Sequence, residues 1–164
     1  MRRILISLLA LLCMASCGRR RNAPAQEAAA DSRPRVFLPA IAPSSLSPDE
    51  RRDYLRVHYW DRFDFTDTLF TVRADTLQMV EAYARYIALI SDRPTDGSPI
   101  DSLMRRASSS RKMLDYFSML AEQVLHDPNS PLRNDEFYIP VLQAQLRSPW
   151  YDEYERIAPQ YDLE

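Results

Sequence analysis

From about residue 46 onward, apolar positions return at helical rather than strand spacing. Leu77, Val80, Ala84, Ile87 and Ala88 form one stripe, widened by Tyr83, Tyr86 and Ile90. Met113, Phe117, Leu120, Ala121 and Val124 form a second, which stops before Asp127-Pro128, and Ile139, Leu142 and Leu146 a shorter third. Start signals precede these runs. Ser47-Pro48-Asp49-Glu50 offers an N-cap, a first-turn proline and a capping-box glutamate. Ser98-Pro99-Ile100-Asp101 repeats that arrangement, while Asp75-Thr76-Leu77-Gln78 and Asn134-Asp135-Glu136 begin two further helices. Ser148-Pro149 can open a last short one, and Ser108-Ser109-Ser110 offers a break inside the third. The chain holds only two glycines, fewer than tight β-hairpins usually need. The expectation is an all-α fold: a single compact bundle of about five helices over residues 46–164.

The first 45 residues follow another pattern. Arg2-Arg3 precedes an apolar run from Ile4 to Met14, long enough for a signal peptide and too short to span a bilayer. Ala15 and Ser16 are small, as a signal peptidase requires just before its cut, and Cys17 follows. Met14-Ala15-Ser16-Cys17 resembles the bacterial lipobox, with methionine where leucine is usual. The resemblance implies a lipoprotein signal peptide over 1–16 and acylation of Cys17, a firm anchor at about 0.8 kcal/mol per buried methylene. Gly18-Arg19-Arg20-Arg21 lacks both an aspartate beside the lipid and an acidic cluster. By the same resemblance, the expected location is the cell envelope, on the periplasmic face of the outer membrane. Residues 17–45, rich in Ala, Pro, Ser and Arg, read as a flexible tether, in which Val36-Phe37-Leu38 can dock as a short extended piece.

Charge and cysteine count then narrow the function. Residues 1–16 contain two arginines and no acids, so without them the formal charge moves from −2 to −4. With no basic run in the remainder, nucleic acid is not an expected partner. Cys13 lies in the apolar run and Cys17 is the acylation site, leaving no thiol for a disulfide or a C-x-x-C motif. No G-x-S-x-G elbow, phosphate loop or H-E-x-x-H appears either. Asp135-Glu136 and Asp152-Glu153 are adjacent acids, which point about 100° apart on a helix and suit first turns better than one shared site. The chain is therefore expected to be neither an enzyme nor the carrier of a cofactor.

Two stretches sit outside the simple bundle pattern. In 58–67, His58, Asp61, Asp64 and Asp67 supply imidazole and carboxylate groups, interleaved with Trp60, Phe63 and Phe65. Their spacing matches no established metal loop, and the EF-hand glycine is missing. The stretch reads either as a metal-gathering segment or, more economically, as an aromatic plug whose aspartates cap turns or pair with Arg62 and Arg56. His58, Trp60, Asp61, Asp64 and Asp67 are the candidate interaction surface; no metal site is assigned. In 125–138, His126 is placed at a helix C-terminus and Asp127-Pro128-Asn129-Ser130-Pro131 forms a rigid connector to a helix capped by Asn134.

Together these stretches resemble a domain of unknown function found in Bacteroidetes lipoproteins, often ahead of a thioredoxin-like domain of the peroxiredoxin or thiol-disulfide oxidoreductase type. The resemblance covers roughly residues 39–159, and on this reading the chain is expected to be a version without the redox domain of longer relatives. It implies a membrane-anchored periplasmic module that binds or positions a partner, for instance a thioredoxin-like redox protein. The alternatives are a small-molecule or metal-binding periplasmic domain using 58–67, and a truncated fragment of a longer thiol-disulfide oxidoreductase. Tyr151, Tyr154 and Tyr161 suggest an apolar patch near the end, suited to self-association.

Overall fold

The computed structural model describes residues 34–92 and 97–164, and residues 34–164 form one compact unit. The expected signal peptide, Cys17 and most of the expected tether lie outside the described residues.

Helix α1 (Pro48–His58) begins with a complete capping box: the Glu50 N–H donates to Ser47 Oγ at 3.4 Å and the Ser47 N–H to Glu50 Oε2 at 2.8 Å. Hydrogen bonding to the Ser47 side chain and backbone holds Glu50's carboxyl below its usual range. None of its residues is buried. A single turn, α2 (Phe70–Arg73), precedes α3 (Thr76–Ser91), whose N-cap Asp75 accepts from the Gln78 N–H at 3.1 Å. Helices α4 (Ser98–Ala107) and α5 (Arg111–Ala121) are separate, because Ser110 caps α5 through its hydroxyl. Helix α6 (Asp135–Arg147) carries Asn134 as its cap, and α7 (Ile157–Tyr161) closes the chain.

Gly97, rather than Ser98, caps α4. Its φ of 76° is left-handed, and a Cβ there would stand 3.1 Å from Pro140 Cγ. Conformation and close approach to α6 therefore both call for glycine. No helix opens at Ser148-Pro149; Ser148 instead ends α6, and its hydroxyl accepts from the Trp150 N–H at 3.1 Å.

One sequence-derived stripe is turned. On α3 the buried face is Met79, Ala82, Tyr83, Tyr86, Ile87 and Ile90, while Leu77 is 70% exposed and Ala88 also faces outward. The helix is apolar on two adjoining faces, and the face with the larger aromatic and sulfur side chains removes more area from water. The second stripe lies wholly in the core, together with Ile100, Leu103, Met104 and Ala107 of α4. In the third, Leu142 is buried and Ile139 exposed.

Between α5 and α6 the chain makes a π-helical turn (Glu122–His126), with the Asp127 N–H reaching Glu122 O at 2.9 Å. The Ser130 hydroxyl and the Asn134 N–H take the carbonyls of Val124 and Leu125, which a continuing α-helix would use itself. Pro128 cannot continue that helix, so the widened turn is the helix's exit.

The simple bundle after a long tether is corrected at the N-terminal side. Arg35 pairs with Ala74 as an isolated parallel bridge, through Arg35 N–H to Arg73 O at 2.7 Å and Asp75 N–H to Arg35 O at 3.0 Å. The Gln78 amide mimics a further strand residue, accepting from Phe37 N–H at 3.1 Å and donating to Phe37 O at 2.8 Å. Phe37 is 3% exposed, so the packed unit begins near residue 34 rather than at 46. Burial of the ring, worth about 1.5–3 kcal/mol, offsets the ordering of the segment.

Candidate functional site

The segment after α1 folds into consecutive turns, which aim its aromatic residues inward and its acids outward. Trp60, Phe63 and Phe65 are buried, and Phe37 closes over them. Trp60 stacks on Phe37 at 4.7 Å between centroids and meets Phe117 edge-on at 5.3 Å; Phe65 stacks on Phe117 at 5.3 Å. The offset and edge-on arrangements are those that the ring quadrupoles favour.

Each acid has local work. Asp61 accepts from His58 Nδ1 at 2.6 Å and pairs with Arg106 at 3.3 Å. Asp64 accepts from both the Thr66 hydroxyl at 2.7 Å and its N–H at 2.8 Å, and these bonds hold its carboxyl below the usual range. Asp67 pairs with Arg35 and accepts from the Leu69 N–H at 3.1 Å. Among the described residues, no three His, Cys, Asp or Glu side chains gather as a metal-binding group. Trp60, named among surface candidates, is 3% exposed and belongs to the core; its indole N–H is buried with no partner. His58, Asp61 and Asp64 do reach the surface region, with His58 stacked on Tyr54 at 4.2 Å.

Arg106 is the residue that local sequence reasoning passes over. It donates to Trp60 O at 3.0 Å, pairs with Asp61 and lies over the Phe65 ring at 4.5 Å. Only the two preceding apolar residues of α4 hint that its stem faces the core; nothing local signals a tie across some 46 positions.

Two clefts flank the plug. One, of about 220 Å³, lies between α1, α3 and α4 and includes Arg56, Trp60, Tyr86, Ser102 and Arg106 in its wall. The Tyr86 hydroxyl donates to Pro99 O at 3.3 Å, and burial pushes its pKa up to about 12. The other, of about 460 Å³, runs beside the extended segment past Val36, Leu38, Phe63 and Phe70. A third cleft, of about 540 Å³, lies at the π-helical turn beside Met119, Glu122, His126 and Arg133. There His126 stacks on Tyr138 at 4.7 Å, with Nδ1 buried and unpartnered, so it ends the turn as expected from its position.

At the C-terminal end, apolar side chains remain uncovered. Trp150, Tyr154, Ile157 and Tyr161 are exposed, Tyr154 by 82%. Their backbone is nonetheless tied to the core, by Arg111 to Trp150 O at 3.2 Å, the Arg111–Glu155 pair, and Tyr151 OH to Asp115 at 2.8 Å.

A family profile described as "Domain of unknown function (DUF5106)" matches residues 16–164. The chain belongs to this DUF5106 family. No curated protein gives a significant match. Among solved structures, the DUF5106 chain is similar to the crystal structure of a thioredoxin-like protein from Bacteroides caccae, with 35% identity and a TM-score of 0.67. The match covers 78% of this chain and 46% of the other, so the DUF5106 chain spans less than half of that protein's length. It also corrects the all-α fold class: the matched protein is named for a class that mixes helices with a sheet. Helical character holds for the described residues of the DUF5106 chain, and does not define the class of the proteins to which it is related. Among the described residues, no helix is long and apolar enough to cross a membrane.

Proposed function

We propose that this chain is a membrane-anchored periplasmic lipoprotein module that positions a thioredoxin-like partner and catalyses no reaction itself. The observation that supports it best is the 35% identity to part of a thioredoxin-like protein, over 46% of that protein. The exposed Trp150, Tyr154, Ile157 and Tyr161 supply an apolar surface of the composition that interfaces use, on a backbone already anchored. Cys17 behind its apolar run is the anchor, and the outer membrane's periplasmic face is the location.

A photo-crosslinking residue at Tyr154, with one at exposed Arg85 as control, tests the reading in cells that express the chain natively. Crosslinks from Tyr154 alone to a thioredoxin-like protein are expected; none, or equal yields from both positions, would reject it. Mass spectrometry of the N-terminal peptide tests the anchor, which requires acyl chains on Cys17. A second reading draws on the same partial coverage: the chain is a portion of a longer thiol-disulfide oxidoreductase. Sequencing the downstream DNA separates the two, since this reading needs an in-frame redox domain there.

A further inference from the structure

We propose that the outer edge of the extended segment at residues 35–38 pairs with the same edge of a second copy of this chain, antiparallel about a two-fold axis through Phe37. The backbone of Arg35 and Phe37 is occupied on one side, by Arg73 O, the Asp75 N–H and the Gln78 amide. In an extended chain the intervening residues turn their N–H and C=O groups the other way. Among the described residues, neither Val36 nor Leu38 has a hydrogen bond on its N–H or its C=O. Both are exposed, by 55% and 68%. An open strand edge of this kind is a template for another strand.

The ends of the edge select its occupant. Setting Val36 opposite Leu38 of the copy, and Leu38 opposite its Val36, pairs every open group of both chains. The next pair outward, Pro34 with Ala40, can add nothing. Pro34 has no N–H, and the Ala40 N–H is held by Tyr59 O at 3.2 Å. A longer strand from another protein would meet those ends with its own groups left over, whereas a copy stops where this chain stops. Phe37 lies opposite Phe37 of the copy on the core side, and the outer face gains Val–Leu cross-strand pairs from side chains otherwise in water. The cleft beside the segment carries both charge signs: Arg62 has no partner among the described residues, and the Asp64 carboxylate bonds only within its own turn. Such a face is not repelled by its own copy, as a face of one sign would be. The surface at Tyr154 takes no part in this pairing.

The full-length chain in detergent tests the pairing at residue level. Hydrogen exchange of the Val36 and Leu38 amides is expected to slow at least about tenfold as protein concentration rises, while the Arg35 and Phe37 amides stay protected throughout. Val36→Lys combined with Leu38→Lys sets like charges opposite each other at exposed positions. It is expected to abolish that slowing with the thermal midpoint unchanged, whereas Tyr154→Ser leaves the slowing intact. For the register, Val36→Cys and Leu38→Cys chains are oxidised separately and as a mixture. The mixture is expected to yield peptides linked from 36 to 38, since directly opposed residues lie about 5.5 Å apart between Cα atoms, within disulfide reach. Each variant alone is expected to give no such link to its own copy, its cysteines sitting on the diagonal about 7–8 Å apart. Exchange independent of concentration, or slowing that survives the lysines or is lost with Tyr154→Ser, would overturn the proposal. So would equal linking by the single variants or, in whole envelopes, linkage of these positions to a different protein.

Discussion

At the 58–67 segment, Trp60, Phe63 and Phe65 are sealed beneath Phe37, whereas at the C-terminal end Trp150, Tyr154 and Tyr161 stand in solvent. Residue type does not separate the two regions; what covers them does. The first has an extended strand held by the Ala74 bridge and the Gln78 amide, with Arg106 across its rim. The second has an anchored backbone but no further layer above it among the described residues. The same apolar chemistry therefore closes a core at one end and presents a surface at the other.

The sharpest test of that contrast is a pair of alanine substitutions read by chemical denaturation. Trp60→Ala should cost about 3–5 kcal/mol, as expected for emptying a packed aromatic site. Trp150→Ala should cost less than about 1 kcal/mol. Similar losses at both positions would dissolve the distinction.

Alkaline pH offers a second route. Burial raises Tyr86 and Tyr138 to about 12, and Tyr83 higher still. Unfolded tyrosines ionise near the ordinary value of about 10. Their contribution to stability is thus complete below about pH 10 and declines as pH climbs from there toward 12, since the native state alone retains the protons. Thermal melts followed by circular dichroism should show Tm falling over that window; a flat profile would mean that these phenols are not held as described.

Tyr83 itself permits a smaller test. Its hydroxyl is fully buried without a partner, so Tyr83→Phe should leave stability unchanged or raise it by about 1 kcal/mol. A clear loss would reveal a hidden partner for that oxygen. The smallest effect belongs to Tyr154→Ser, which should stay within about 0.5 kcal/mol in stability while reducing capture of the partner.

Much of the helix plan was readable locally. Ser47, Asp75 and Asn134 cap helices as their spacing suggests, because each bond reaches a backbone N–H only three residues away. Asp64 and Asp67 likewise bond close by, at Thr66 and Leu69, and a turn-forming role was legible in their interval, whereas the pairing of Asp61 with Arg106 and of Asp67 with Arg35, in place of the expected Arg62 and Arg56, was not. The location of Trp60 was not. An interleaved aromatic can face either way until something covers it, and the covering ring comes from residue 37. The exposed side of α3 was misread for a related reason: two apolar faces competed, and only the surrounding aromatic cluster decided between them.

What the amino-acid order determined alone was the set of short-range interactions, the caps and the proline exit after His126; the requirement for glycine where a left-handed turn meets Pro140 became evident only with that neighbour in place. Tertiary structure decided which apolar face lies inward, that residues 34–43 join the packed unit, and that Arg106 locks the plug from 46 positions away. The division has a simple origin. A capping bond is complete within one turn of chain, whereas burial depends on the summed area of every segment that arrives at the same place.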